Sequence, residues 1–330
     1  MGAAAETRVS PDTIFQTAMG FMAAKHLFVA NELGLFRTLA DGPATLEELA
    51  AGAGAPTRTV RIVADAMVAL GFLDKDGTAY RNGEVAASFL TGRGPMDAAP
   101  LLRFWNAISY PAWASLERAA RTDEAVRGEL TEEQQEIFSE GVEAFTAGAA
   151  HALAAAYDFS RHERVLDVGG GTGSFLVAAI TPFPGVRGTL FELPDVAEIA
   201  REKLAASPVS GRVDAVGGDV LADELPAGHD CVLLANVVHY FLPERNVELL
   251  RRIRRAVEPG ARVVLVDFWT NATHTEPLPA VLIAGEFLSL VGGDVYSRDE
   301  LAEWLAETGW SWIETLPLPG GQSAVVAEAC

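Results

Sequence analysis

Cysteine is scarce in this chain, with two among 330 residues. Cys231 lies inside an apolar run and Cys330 is the final residue, so the sequence predicts no disulfide framework, as in proteins of a reducing cytoplasm. Long apolar runs are also missing: no stretch reaches about 18 uninterrupted apolar residues, and the opening residues lack the apolar segment of a signal peptide. We therefore expect a cytoplasmic protein that neither spans a membrane nor is secreted.

Positively charged residues are also scarce. Lys and Arg number 25 against 45 Asp and Glu, which gives a formal net charge of −20. Binding to nucleic acid needs clustered Lys and Arg that neutralise phosphates, so we expect no nucleic-acid partner. The hydrophobic fraction of 49% and the charged fraction of 21% suit a globular protein with large cores, and 330 residues allow two domains.

Glycine, by contrast, is plentiful, and four of the 31 glycines fall in one functional pattern. Residues 164–174 read Arg-Val-Leu-Asp-Val-Gly-Gly-Gly-Thr-Gly-Ser: a short strand pattern, a glycine turn, and then a helical pattern from Phe175. Strand, glycine turn and helix form the first unit of a nucleotide-binding α/β domain. A second strand pattern, 186–191, ends at Glu192, 19 residues after Gly173, where an acid accepts hydrogen bonds from ribose hydroxyls.

The spacing of the glycines separates two cofactors. A dinucleotide site requires Gly-x-Gly-x-x-Gly, but the sixth position counted from Gly169 is Ser174. The chain instead has Asp-x-Gly-x-Gly-x-Gly, the pattern of S-adenosylmethionine (SAM) methyltransferases, in which these residues face an amino-acid moiety and a ribose. We therefore predict SAM rather than NAD or a turn without ligand. The predicted cofactor-binding residues are Asp167, Gly169, Gly170, Gly171, Gly173, Glu192, Leu193, Gly218, Asp219, Val220 and Asn236.

Strand and helix patterns alternate regularly through the rest of the chain. Strand patterns at 213–216, 230–235 and 262–267 follow the first two, and the closing segment predicts a helix and two more strands. The predicted fold class is an α/β Rossmann-like methyltransferase domain, doubly wound and mostly parallel, with an antiparallel hairpin at its end.

Three polar residues follow strands of this predicted sheet. Ligands bind at the carboxyl ends of parallel strands, so we expect Asp219 either to reach the adenine amino group or to cap a turn. His239 is predicted to be catalytic because it follows the fourth strand, beside the expected sulfonium. Asp267 ends the fifth strand, where it either orients a protonated imidazole or caps the next helix.

The N-terminal region is mainly helical. An apolar helical pattern covers 13–39, further helical patterns cover 46–51 and 56–70, and residues 71–80 read as a hairpin with a Lys-Asp-Gly turn. Helix, helix and hairpin predict a winged helix. Because its second helix has few basic residues in an acidic protein, we expect dimerisation through the apolar first helix rather than DNA binding.

Three regions follow from these patterns. Residues 1–95 are predicted to form a winged-helix dimerisation domain, 96–160 connecting helices that line the substrate cleft, and 161–330 the SAM-binding methyltransferase domain. Aromatic residues recur at helical spacing in the connecting region, where most belong to the core and a few are expected to line a cleft. The predicted substrate-pocket residues are Trp105, Phe145, Trp269, Glu286, Phe287 and Leu290.

Four motifs together point to one family: Asp167-Val-Gly-Gly-Gly-Thr-Gly, Leu190-Phe-Glu-Leu-Pro, Gly218-Asp-Val and the segment around His239. With them the chain resembles, over nearly its full length, the caffeic-acid-type (plant-type) SAM-dependent O-methyltransferases, in their actinobacterial natural-product branch. The resemblance implies a homodimer whose N-terminal domain contributes to the partner's substrate pocket. It also implies that His239 is the general base.

The chain departs from that family at several positions. Tyr240 and Phe241 stand where the family has Asp-Trp after the catalytic His, and Ala235 replaces a Lys near the adenine. The family's second carboxylate, which helps to orient the His, falls on Val295. These departures weaken the transfer of the family's catalytic triad to this chain.

Residues 278–289 also resemble α-keto-acid C-methyltransferases of the same superfamily, around Glu286. In the metal-dependent phenylpyruvate enzyme, a His ligand falls on Ser289 of this chain. We predict no metal. The alternative is a divalent ion held by His239, His274 and Glu286, although no ligand motif of short spacing supports it.

The sequence thus predicts an enzyme, a SAM-dependent methyltransferase of a small secondary metabolite, which methylates a hydroxyl with His239 as general base. Two alternatives stay open. One is C-methylation of an α-keto acid or a related carbon nucleophile, with or without a metal, and the other is a non-catalytic winged-helix regulator.

Overall fold

The computed structural model describes residues 10–94 and 96–330. The chain divides into two compact units, the first comprising residues 1–107 and 133–144 and the second 108–132 and 145–330. Among the described residues, no helix has both the length and the apolarity that crossing a bilayer requires.

The first unit holds nine helices and strands among the residues described: α1 (Asp12–Glu32), α2 (Leu35–Thr38), β1 (Ala44–Thr45), α3 (Leu46–Ala53), α4 (Thr57–Ala69), β2 (Leu73–Asp76), β3 (Ala79–Asn82), α5 (Glu84–Phe89) and α6 (Ala99–Phe104). A 3-10 turn, Leu39–Asp41, follows α2, and a π-helical turn, Trp105–Ser109, follows α6.

The apolar N-terminal pattern forms two helices instead of the single one predicted. α1 ends at Glu32 and α2 begins at Leu35, because Gly34 between them takes a left-handed conformation with φ 68°. α1 leaves large apolar side chains exposed, with exposed fractions between 46% and 70%: Ile14, Phe15, Met19, Phe21 and Met22. Exposed apolar rows of this kind are typical of surfaces that another protein chain covers.

The winged-helix order is present after α2. α3 begins with a reciprocal capping box between Thr45 and Glu48, and β1 joins the β2–β3 hairpin in a three-stranded sheet. On α4, the guanidinium of Arg61 lies 3.0 Å from the carboxylate of Asp65, which also pairs with Lys75 at 2.8 Å. Part of the small positive charge of α4 is therefore neutralised within the unit.

The second unit begins with α7 (Tyr110–Trp113) and α8 (Leu116–Thr122) and includes the second half of α9 (Glu132–Ala156). The strands and helices that follow are β4 (Arg164–Val168), α10 (Ser174–Ile180), β5 (Arg187–Glu192), α11 (Pro194–Ala205), β6 (Val213–Gly217), β7 (His229–Ala235), α12 (Pro243–Ala256), β8 (Val257–Phe268), α13 (Leu278–Val291), α14 (Arg298–Glu307), β9 (Trp310–Pro317) and β10 (Gln322–Ala329). Short 3-10 turns lie at Phe159–Arg161, Val238–Tyr240 and Pro319–Gly321.

The seven strands β4 to β10 build one sheet in the order β6-β5-β4-β7-β8-β10-β9. The strands from β6 to β8 are parallel, whereas β10 runs antiparallel to both β8 and β9. The predicted fold class, with its antiparallel hairpin at one end, is confirmed.

Both faces of the sheet are buried, which explains why its central strands are apolar without alternation. Val165 and Leu166 are consecutive on β4, and they belong to separate cores on opposite faces of the sheet. Parallel strands covered on both faces end at a common edge, and β4, β5, β7 and β8 bring the predicted site residues to that edge.

Candidate active site

The glycine turn after β4 is built from backbone that side chains disfavour. Gly169, Gly171 and Gly173 have φ of 68°, 58° and 90°, and Gly173 is the N-cap of α10. A Cβ on Gly170 would overlap the carboxylate of Asp167, whereas the position of a Cβ on Gly171 has no described atom within 4 Å. The turn therefore presents open space at Gly171, beside amides at a helix N-terminus.

Asp167 lies beneath this turn with no exposed surface. In the described part of the chain, neither of its carboxylate oxygens has a hydrogen-bond partner, although the amide of Leu176 in the first turn of α10 lies nearby. Burial, with the charge of Glu192 as a second cause, raises the pKa of Asp167 to about 8. A buried carboxyl group without a partner fits a site that receives a cation, such as the ammonium or sulfonium group of SAM.

Glu192 ends β5 beside the turn. Its Oε2 accepts a hydrogen bond from the amide of Gly171 at 3.0 Å, and its Oε1 accepts one from the amide of Leu193 at 2.8 Å. A carboxylate has about four acceptor positions, so Glu192 keeps capacity for two hydroxyl donors. Leu193 is 51% exposed beside it and offers an apolar surface.

The segment after β6 forms a tight polar turn. Oδ1 of Asp219 accepts a hydrogen bond from the amide of Leu221 at 2.8 Å, while the amide of Asp219 donates to Asp223. Gly218 is buried against the ring of Phe191, where a Cβ would collide, and Val220 is half-buried. Asp219 is exposed and caps this turn, and its contact with an adenine stays a prediction.

Asn236 follows β7 in a left-handed conformation, φ 57°, which is uncommon for a residue other than glycine. Its Oδ1 accepts a hydrogen bond from Nε2 of Gln322, whereas its Nδ2 is buried with no acceptor among the residues described. Strained backbone and an amide without a partner are typical of ligand sites.

His239 and Asp267 meet at the carboxyl edge of the sheet. Nδ1 of His239 lies 2.9 Å and 3.1 Å from the two carboxylate oxygens of Asp267, and both residues are buried. The amide of His239 also donates to Asp267 at 3.3 Å. The structure thus brings Asp267 against the imidazole, and its role in orienting the ring stays a prediction. Because a carboxylate only accepts, Nδ1 is the donor of this pair, and in the neutral imidazole Nε2 then presents a lone pair.

Aromatic rings enclose the imidazole of His239. The ring of Phe287 is parallel to it within 1°, with centroids 3.7 Å apart, and the ring of Tyr240 lies on it at 4.7 Å. The backbone of His239 is fixed as well, because its carbonyl accepts a hydrogen bond from Asp294 at 3.1 Å and a Cβ on Gly293 would overlap that carbonyl oxygen.

Glu286 makes contacts that the sequence does not reveal. It is 6% exposed, and its two carboxylate oxygens accept hydrogen bonds from Oγ of Ser109 and Nε1 of Trp113. Burial raises the pKa of Glu286, and the two hydrogen bonds oppose that rise. Ser109 and Trp113 precede Glu286 by 177 and 173 residues, so no local pattern links them.

The other predicted pocket residues differ in their surroundings. Phe145 stacks on Phe268 with ring centroids 6.0 Å apart, and Nε1 of Trp269 donates to the carbonyl of Ser323. Leu290 is buried on α13, and Trp105 is a half-buried residue of the first unit.

No metal centre is assembled in the part of the chain that the structure describes, where no three His, Cys, Asp or Glu side chains could hold an ion. His274, one of the three ligands of the alternative metal site, lies 3.2 Å from Glu300 and 3.3 Å from the hydroxyl of Thr270. The structure therefore does not bring His239, His274 and Glu286 into one ligand set.

Known proteins match this chain over nearly its whole length. Residues 125–311 match the model of the O-methyltransferase domain and residues 15–92 that of the O-methyltransferase dimerisation domain. The 3-hydroxy-5-methyl-1-naphthoate 3-O-methyltransferase of Streptomyces sahachiroi is 32% identical, over 96% of this chain and 94% of that protein. Human N-acetylserotonin methyltransferase in complex with SAM has a TM-score of 0.88 at 25% identity, covering 100% and 99% of the two chains. PigF with SAH, the demethylated product of SAM, has a TM-score of 0.85 at 28% identity, covering 97% and 100%.

Proposed function

Since this chain belongs to the SAM-dependent O-methyltransferases, we propose that it methylates an aromatic hydroxyl of a small secondary metabolite, with His239 as the general base. The predicted family, enzyme class and cofactor are confirmed. The roles of individual residues belong to the proposal.

The His239–Asp267 pair carries the proposal. When bound, SAM supplies a methyl group on a positively charged sulfur, which is a good leaving group. His239 accepts the proton of the acceptor hydroxyl at Nε2, and Asp267 stabilises the imidazolium that results. The buried, aromatic surroundings of His239 exclude water and strengthen this ion pair.

The glycine turn supplies the cofactor side of the site. We place the amino-acid moiety of SAM over Gly169–Gly173, near the amides at the start of α10, and the ribose hydroxyls on Glu192. β4 and β7 are adjacent in the sheet, so this turn and the segment that carries His239 follow neighbouring strands. That order allows a methyl group and a hydroxyl to meet near contact distance, about 3–3.5 Å.

The acceptor class is inferred from the relatives and from the aromatic side chains. The naphthoate relative acts on a ring hydroxyl, as its name states. Phe287 lies against His239 and Phe145 stacks on Phe268, and because Phe287 and Phe145 are both half-buried their rings offer apolar surface that suits a planar acceptor. No observation favours C-methylation or a purely regulatory role.

A radioactive-methyl assay tests the proposal. The protein is incubated with labelled SAM and a panel of hydroxynaphthoates, hydroxyindoles and other phenols, and the same panel is run with each hydroxyl already methylated. Transfer to free phenols alone supports O-methylation. Transfer to carbon, or loss of activity with a chelator that a divalent ion restores, would contradict it, and SAM binding without any transfer would indicate the regulator.

Three predictions, on assembly, location and partners, accompany the proposal. The dimerisation domain and the exposed apolar side chains of α1 support a homodimer joined through this helix. Light scattering at micromolar concentration checks this, and a monomer would contradict it. The cytoplasmic location and the lack of a nucleic-acid partner stay predictions from composition.

A further inference from the structure

Among the residues that the structure describes, hydrogen bonds hold the imidazole of His239 at one edge only. Asp267 engages Nδ1 with both of its oxygens, at 2.9 Å and 3.1 Å. Rotation of the ring about its Cβ–Cγ bond would break this contact, so the hydrogen bonds that oppose the rotation all come from Asp267 among the residues described. A base whose lone pair must point at one hydroxyl requires a second constraint.

The position that would supply a second carboxylate is apolar in this chain. Val295 is 2% exposed and lies in a small core with Phe268 and Ala280, against which Phe287 also packs. A carboxylate buried there would lack a partner and would be costly. The second constraint on His239 therefore has a different origin.

In this chain the aromatic ring of Phe287 contacts the imidazole of His239, whereas the family uses a second carboxylate. Its ring covers the imidazole at 3.7 Å with an interplanar angle of 1°. A ring in full contact with one face prevents the imidazole from turning out of its plane, and it remains favourable when the imidazole gains a proton. The ring of Phe287 thus opposes by stacking the same rotation that Asp267 opposes by hydrogen bonding.

Phe287 is itself held by its neighbours in sequence. Glu286 is tied by two hydrogen bonds to Ser109 and Trp113, and a Cβ on Gly285 would come within 2.8 Å of the ring of Trp113. Three consecutive residues of α13 therefore act together, because Gly285 admits the indole, Glu286 binds it and Phe287 covers His239. Two donors facing one carboxylate form an attachment that an amide cannot reproduce, since an amide accepts at only one of its two ends.

We propose that Phe287, anchored through the hydrogen bonds of Glu286 to Ser109 and Trp113, is the positioning residue that orients His239 in place of the family's second carboxylate. The proposal rests on the assignment of His239 as the base. It predicts that changing Glu286, which is not stacked on His239, alters the state of the imidazole.

The test uses the full chain saturated with SAH and labelled with ¹⁵N in its histidine rings. The His239 signals are assigned by their loss in His239→Gln, and the tautomer is read from the two nitrogen shifts. The variants are Phe287→Leu, which removes the ring but keeps apolar volume, Phe287→Tyr, which keeps the ring, and Glu286→Gln. Leu282→Ala is the matched control, because Leu282 lies on the same helix and is 57% exposed.

Wild type, Phe287→Tyr and Leu282→Ala should show one tautomer with the proton on Nδ1. Phe287→Leu and Glu286→Gln should show mixed or exchange-averaged tautomers, because a ring that leaves Asp267 loses the bond that selects its tautomer. With the acceptor from the phenol panel, the same two variants should lose about 10-fold in kcat, part of the roughly 10²–10⁴ that a general base supplies. Their KM for SAM should stay unchanged.

A single tautomer in Phe287→Leu, together with wild-type kcat, would overturn the proposal. So would a change in Phe287→Leu with none in Glu286→Gln, because the anchor would then have no effect. A different result would show that His239 is not the general base: His239→Gln would then keep full turnover, whatever tautomers the other variants show. Circular dichroism of each variant establishes that it is folded.

Discussion

The cofactor side and the base side of the site are built in opposite ways. The glycine turn comes from one short stretch of chain, and its shape lies in backbone, with Gly169, Gly171 and Gly173 in left-handed conformations. The base comes from segments far apart in sequence, where His239 meets Asp267 from β8 and Phe287 from α13. A new side chain in the glycine turn would occupy the space of the cofactor. The position of the base, by contrast, depends on a few side-chain contacts that can be removed one at a time.

The backbone side gives the largest expected effect. Gly171→Leu should abolish SAM binding, because the side chain would enter the open space beside Glu192 and the start of α10. Its left-handed backbone costs a non-glycine residue about 1–2 kcal/mol of stability, so the protein should still fold. Calorimetric titration with SAM measures the loss.

Gly211→Leu is the matched control for this change. Gly211 has φ 77° and, like Gly171, no described atom within 4 Å of its Cβ position, but it lies in the loop before β6. It should show the same loss of stability with unchanged SAM affinity. If the two variants bind SAM equally well, the glycine turn is not the cofactor site.

The side-chain site should respond in rate and not in binding. His239→Ala should lower kcat by about 10²–10⁴, because the hydroxyl loses its proton acceptor, while SAM affinity stays nearly unchanged. His151→Ala, on an exposed surface of α9, should leave both values at wild type. A mild loss in His239→Ala would mean that proximity alone drives transfer, and the assignment of His239 as base would then be wrong.

The same contrast explains what the sequence could predict. Strands β4 to β8, the glycine turn and Glu192 were all predictable, because each depends on a local pattern or on a fixed spacing. The closing hairpin of β9 and β10 was also predictable from its apolar strand runs. Fold and cofactor therefore followed from short-range chemistry.

The surroundings of the base were much less predictable. His239 and Asp267 each end a strand pattern, which places them at one edge of the sheet, but only packing decides that Asp267 faces the ring. Ser109 and Trp113 carry no signal that relates them to Glu286, more than 170 residues away. The break at Gly34 was readable in principle, since a glycine after an apolar helix is a common helix end.

Gly293 shares features with both sides of the site. It contacts the backbone of His239, and that contact helps to position the His239 side chain. A Cβ there would overlap the carbonyl oxygen of His239, so in Gly293→Ala the backbone of His239 or that of Gly293 must shift. We expect about 1–3 kcal/mol lower stability from overpacking and about 10-fold lower kcat. Urea unfolding and turnover measure the two, with Gly185→Ala, whose Cβ would face open space, as the control. Unchanged turnover would show that His239 tolerates displacement.

The smallest expected effect concerns the proton on Asp167. Its pKa of about 8 in the folded protein lies above the ordinary value of 3.8, chiefly because of burial and secondly because of Glu192. The folded protein then binds a proton that the unfolded chain releases, so this group lowers the free energy of unfolding as pH rises from about 4 to about 8. Urea unfolding at several pH values should show Asp167→Asn gaining on wild type over that range. A constant difference would mean that Asp167 is already ionised.

Cofactor binding should reverse that proton uptake. The positive groups of SAM favour the carboxylate of Asp167, so at pH 7 binding should release up to about one proton, and SAM affinity should rise between pH 6 and pH 8. Calorimetry in two buffers of different ionisation enthalpy counts the protons. SAH, which lacks the sulfonium charge, should release fewer, and Asp167→Asn should remove the release with either ligand. Equal release from wild type and Asp167→Asn would assign the proton to another group, and Asp167 would then be only a support beneath the turn.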